Sequence, residues 1–129
     1  VIGAIDTYDI GESSAALLES GKPLMTHALI TGTENISMNR VAEAFSGAAD
    51  REISYVSPDP VSYRAELEIQ RSASASDIAD IYEEVRSGTA EMISNGVERI
   101  TGTPARSIEQ FANANVEAIA AAIVTASAR

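Results

Sequence analysis

Apolar and polar positions change period several times along the 129-residue chain, and each change marks an element. Residues 1–8, VIGAIDTY, are apolar and β-branched enough for a short strand or an extended lead-in. In DIGESSAALLES the spacing of Ile10, Ala15, Leu17 and Leu18 predicts a helix. Asp9 is its expected cap, and Glu12 completes a capping-box pattern. Gly21 and Pro23 are its stop. MTHALITG then reads as a strand ended by Gly32 and the polar run Thr33, Glu34, Asn35. Ser37 caps a second expected helix, MNRVAEAFSGAA, with Val41, Ala42 and Phe45 on one face. Asp50 and Arg51 turn the chain into a second strand, EISYVS. Strand, helix and strand in this order predict a parallel βαβ unit with a right-handed crossover.

From Pro58 onward the pattern is helical. Asp59 and Pro60 form a helix start of the N-cap and N1 type, leading into VSYRAELEIQ. SASAS is a break. DIADIYEEVRSG follows, with Ile78, Ile81, Tyr82 and Val85 at helical spacing and Gly88 at its end. MISNGVERITG reads as a short segment turning at Asn95 and Gly96. Thr103 and Pro104 offer a helical start, and Ser107 with Gln110 a further capping box. The last pattern places Ile108, Phe111, Ala112, Val116, Ile119, Ile123 and Val124 on one stripe of a helix about six turns long. The fold class expected is therefore α/β and helix-rich. Ile-Thr-Gly-Thr occurs twice, at Ile30 and Ile100, but the flanks do not align, so no repeat is inferred.

Composition narrows the chemistry. Nineteen acidic residues against nine basic give a formal charge of -10, which disfavours nucleic acid and anionic membrane surfaces as partners. With no cysteine and one histidine, disulfides, thiolate nucleophiles and histidine-built metal sites are not expected. The apolar run AIAAAIV is far short of the roughly 20 residues a membrane helix needs, and a cytoplasmic location is the expectation.

Glycines are scattered, with neither a G-x-G-x-x-G nor a P-loop pattern, so no phosphate cradle is expected. His27, the lone histidine, is a weak candidate for a general base, against the commoner packed or surface role. In YVSPDPVSY, Tyr55 and Tyr63 are placed to look into one crevice at a strand's carboxyl end. Pro58 lies between them, and Arg64 is positioned to orient an acidic or carbonyl ligand. The alternative makes the tyrosines amphipathic core-edge residues and Arg64 a solvated one. Glu66 and Glu68, like Glu83 and Glu84, lack the spacing that puts two carboxylates on one helical face.

Several of these landmarks occur together and in order: Asp9-Ile10-Gly11, Ile30-Thr31-Gly32 with Glu34 and Ser37, Ile53-Ser54-Tyr55-Val56 with Tyr63, and Val97 to Phe111. In this arrangement the chain resembles the C-terminal part of NmrA-like atypical short-chain dehydrogenases/reductases. The resemblance implies a substrate lobe, with residues 1–22 as the remnant of a Rossmann-side helix, 23–57 the βαβ unit and 58–129 the helical part. It implies NAD(P) as the family's cofactor, held by a glycine-rich turn that this chain does not contain, so no cofactor is expected on this chain alone. A quinone or other carbonyl compound is the implied substrate, and a small apolar or carbonyl ligand the expected partner. A separate N-terminal half, or self-association, would cover the apolar faces left without neighbours. A non-catalytic regulatory module and a cofactor-free cyclase or isomerase are the alternatives.

Overall fold

The computed structural model of the chain describes residues 1–21, 27–70 and 75–127. The expected stop at Pro23, the first residues of MTHALITG and the break at 72–74 lie outside them. Asp6 rather than Asp9 starts the first helix, α1 (Thr7–Glu19), its carboxylate accepting from the Tyr8 N–H at 2.9 Å. Asp9 falls inside the first turn and is buried. There its carboxylate accepts the Arg106 backbone N–H at 2.8 Å. A short acidic side chain suits both positions, which is why the pattern alone did not separate them.

The second helix, α2 (Met38–Ala49), begins at Ser37 as expected, the Ser37 hydroxyl accepting from the Arg40 N–H. It ends at Asp50 in the left-handed conformation, φ 49°. The expected βαβ unit is absent, which corrects the α/β fold class: no sheet forms among the described residues. The isolated antiparallel bridge between Ile2 and Ile36 is the β pairing present. Hydroxyl side chains take the place of the ladder. At the end of MTHALITG, Thr31 Oγ1 accepts from Ser94 N at 2.8 Å and faces Ser94 O at 3.2 Å, while Ser94 Oγ donates to Leu29 O at 2.6 Å. In EISYVS, the Ser46 hydroxyl of α2 accepts from Ile53 N at 2.9 Å and faces Ile53 O at 3.1 Å. Backbone groups that a strand neighbour would satisfy are met by hydroxyl side chains instead, from seven residues away at Ser46 and from more than sixty at Thr31 and Ser94. The extended segments nevertheless run close together. A Cβ at Gly32 would strike the Ala4 carbonyl oxygen, and one at Gly96 the Leu29 carbonyl oxygen.

The third and fourth helices, α3 (Pro60–Gln70) and α4 (Ala75–Ser87), form a hairpin. Asp59 starts α3 as expected, accepting from the Ser62 N–H and hydroxyl, both at 3.0 Å. Leu67 and Ala79 are buried between the helices with Ile78 and Tyr63 against them, and Tyr63 meets Tyr82 edge-on at 5.5 Å. Among the described residues this hairpin packs on no other helix. Where a turn was expected at Asn95 and Gly96, a short helix α5 (Gly96–Thr101) forms and packs on α1.

Thr103 and Pro104 start no helix; Ser107 does, with the full reciprocal capping box to Gln110. The single terminal helix expected is two, α6 (Ile108–Ala114) and α7 (Val116–Ser127). The break falls at Asn115, whose side-chain amide donates to Phe111 O at 2.8 Å. A side-chain amide that competes for a helical carbonyl weakens the helix at that point. The apolar stripe survives the break. Ala112 is fully buried and Ile119 nearly so, against Ala44 of α2, with Phe45, Ile53, Ile108 and Ile123 around them. Val116 is the exception, since it faces out at 38% exposure.

Candidate functional site

The α2–α6 pairing that builds the core also leaves a space beside it. A cavity of about 340 Å³ lies between the lead-in residues 2–7, residues 33–36, α2 and the start of α6. Its walls are apolar, supplied chiefly by Ile2, Ile5, Ile36, Val41, Phe45 and Phe111. Phe45 and Phe111 stack with centroids 6.3 Å apart and planes 24° from parallel. Each wall residue is there for a reason already visible in its element. Ile2 and Ile36 are fixed by their bridge, Val41 and Phe45 lie one turn apart on α2, and Phe111 follows the capping box one turn into α6.

The polar edge consists of Asp6, Thr7, Thr33, Glu34, Arg106 and Ser107. Arg106 is its hub. The guanidinium lies 3.6 Å from the centre of the Tyr8 ring, a cation–π distance, and Nη1 is 3.5 Å from Asp6 Oδ2. The Asp6 side chain is only 7% exposed. One of its oxygens caps α1, so the carboxylate is held at the cavity edge by the helix it starts. Nearby, Arg40 pairs with Glu109. The Ser107 hydroxyl, the Glu109 backbone N–H and the Arg40 guanidinium hold the Glu109 carboxyl below the usual carboxylate range.

None of the candidate site residues His27, Tyr55, Pro58, Tyr63 and Arg64 lines this cavity. His27 is exposed, as are Tyr55 and Pro58 in the segment before α3. Tyr63 and Arg64 are half-buried in the hairpin, Tyr63 on Tyr82 and Arg64 in an ion pair with Asp80 at 2.7 Å. That carboxylate raises the Arg64 guanidinium above its ordinary value. Asp6 and Arg106 were not foreseen, because they meet across almost the full chain. Their only local signals were an acid before a helix and a basic residue before a capping Ser.

On the hairpin's outer side an apolar band is in water. Val61 and Ile69, on the face of α3 opposite Tyr63 and Leu67, are 77% and 86% exposed, and Val56 and Ile81 are exposed near them in sequence. No helix among the described residues is long and apolar enough to cross a membrane.

No family model matches the chain. Over 120 residues it is 32% identical to the uncharacterized oxidoreductase YesF of Bacillus subtilis (strain 168), which covers 88% of this chain and 41% of that protein. Over 110 residues it is 29% identical to prestalk A differentiation protein A of Dictyostelium discoideum, covering 84% of this chain and 36% of that protein. The chain therefore has a distant, oxidoreductase-like relationship, and it spans about two fifths of the length of the curated relatives it matches.

Proposed function

We propose that these residues are the substrate-side portion of an NmrA-like NAD(P)H-dependent oxidoreductase whose dinucleotide is held by sequence outside them. The observation that carries this reading is the similarity to YesF, a protein whose name assigns it redox chemistry, over two fifths of its length. The scattered glycines agree with it, since a phosphate-binding turn has no counterpart among the eight present. The substrate is a small apolar carbonyl compound such as a quinone. Its contacts are the exposed Tyr55 and Pro58 and the adjoining hairpin, where Tyr63 and Arg64 fix the helix positions. The outer band of Val61 and Ile69 packs against the remainder of the protein or a second copy.

The experiment is a turnover assay on the protein isolated from its source with an antibody raised against this chain. NAD(P)H oxidation that depends on added menadione is the expected result. Binding of NAD(P)H without any carbonyl- or quinone-dependent oxidation would overturn the catalytic reading. It would favour instead a regulatory binding module, a reading that draws on the second relative, whose name describes differentiation and no chemistry.

A further inference from the structure

We infer that the cavity between the lead-in segment, α2 and α6 is a binding site for a small, uncharged aromatic molecule carrying a hydroxyl group. The inference stands apart from the proposed oxidoreductase role, since none of His27, Tyr55, Pro58, Tyr63 and Arg64 lines the cavity. Three features select the ligand. Its size is set by the 340 Å³ volume, at the small end of the range of roughly 300–1,000 Å³ for small-molecule sites. Flatness is set by the walls, where the stacked Phe45 and Phe111 rings and the branched Ile36 and Val41 offer ring-sized apolar faces.

The hydroxyl is selected by Asp6. Its carboxylate is almost wholly withdrawn from water, and Oδ1 is engaged by the Tyr8 N–H. Oδ2 has the Arg106 guanidinium only at 3.5 Å, the outer limit of a hydrogen bond. A carboxylate has about four acceptor positions, so this buried oxygen retains capacity for a ligand O–H. A charge-assisted bond of that kind is about twice as strong as a neutral one. On this edge the carboxylates of Asp6 and Glu34 outnumber the one guanidinium, Arg106, so a neutral ligand is favoured over an anionic one.

The test uses the full 129-residue chain and three probes of one shape: 2-naphthol, naphthalene and 2-naphthoate. Because the chain has no tryptophan, naphthol fluorescence can be excited free of protein signal. Expected is saturable 2-naphthol binding, roughly tenfold tighter than naphthalene and tighter again than 2-naphthoate, a tenfold ratio being about 1.4 kcal/mol. Methyl NMR shifts should be confined to Ile2, Ile5, Ile36, Val41 and Ile108. Asp6→Asn, which preserves an N-cap residue, should remove the preference for naphthol over naphthalene while leaving naphthalene binding in place. Val41→Phe should fill the cavity and abolish both. Should that variant not fold, the methyl shifts on the unmodified chain decide alone. Shifts that are absent, or that fall on Val61, Ile69 and Ile81 of the hairpin, overturn the inference, as does equal affinity for the three probes. A negative quinone-turnover result with this binding intact would remove the oxidoreductase reading and leave the site standing.

Discussion

Ser13 is the most deeply buried polar side chain in the described structure, 2% exposed on α1, and its hydroxyl has no hydrogen-bond partner among the described residues. A buried hydroxyl left unsatisfied costs its desolvation, and alanine there removes the cost while keeping the helix. Ser13→Ala is therefore expected to stabilise the chain by about 1 kcal/mol, read as a raised midpoint in urea unfolding; a loss of stability would mean the hydroxyl has a partner. Gly32 and Gly47 make a second, paired case. An alanine methyl at Gly32 would strike the Ala4 carbonyl, whereas at Gly47, exposed within α2, it meets nothing within 4 Å. Gly32→Ala should cost about 1–3 kcal/mol through overpacking, and Gly47→Ala should gain up to about 1 kcal/mol through helix propensity. Thermal unfolding of the two variants measures the contrast, and equal effects would contradict the close approach of residues 4 and 32.

Helix starts were the most legible elements, because a cap is a local device. Ser37, Asp59 and Ser107 each cap the helix expected of them, by a side chain accepting from the N–H three residues ahead. The strands were not legible for the complementary reason. Extended, β-branched stretches such as EISYVS state only a local preference, and whether a neighbour pairs with them is decided elsewhere in the chain. Here Ser46 and Ser94 hydroxyls satisfy backbone groups that the pattern assigned to a ladder. The α3 start also carries a pH dependence. Two hydrogen bonds from Ser62, backbone N–H first and then hydroxyl, hold the Asp59 carboxyl below its ordinary value. A carboxyl lowered on folding adds stability that is full above its unfolded titration range and lost as pH falls through the lowered folded value. Acidification should thus fray the start of α3 before α2, followed by backbone NMR at Ser62 and Arg40. Asp59→Asn should remove that acid-side component, and an unchanged pH profile in this variant would locate it elsewhere.

For the molecule as a whole, the core lies where the apolar stripes of α2, α6 and α7 meet. The α6 and α7 side was readable from Ile108, Ala112, Ile119 and Ile123, whereas on α2 the core is met by Ala44, Phe45, Ala48 and Ala49, of which the expected face of Val41, Ala42 and Phe45 supplied Phe45. The cavity beside the core was not readable, although Phe45 and Phe111 were both in the stripes. A stripe shows which residues turn inward, but the gap between two stripes depends on the helix spacing, which no single segment encodes. The hairpin of α3 and α4 shows the opposite situation, with apolar residues at helical spacing that remain in water on its outer face. The proposed oxidoreductase reading places the dinucleotide site outside these residues, with the exposed apolar residues of the hairpin packed against another part of the assembly. NAD(P)H titration of the purified 129-residue chain, followed by nicotinamide fluorescence, tests that account most directly. It predicts no saturable binding by this chain; tight binding by the 129 residues alone would contradict it.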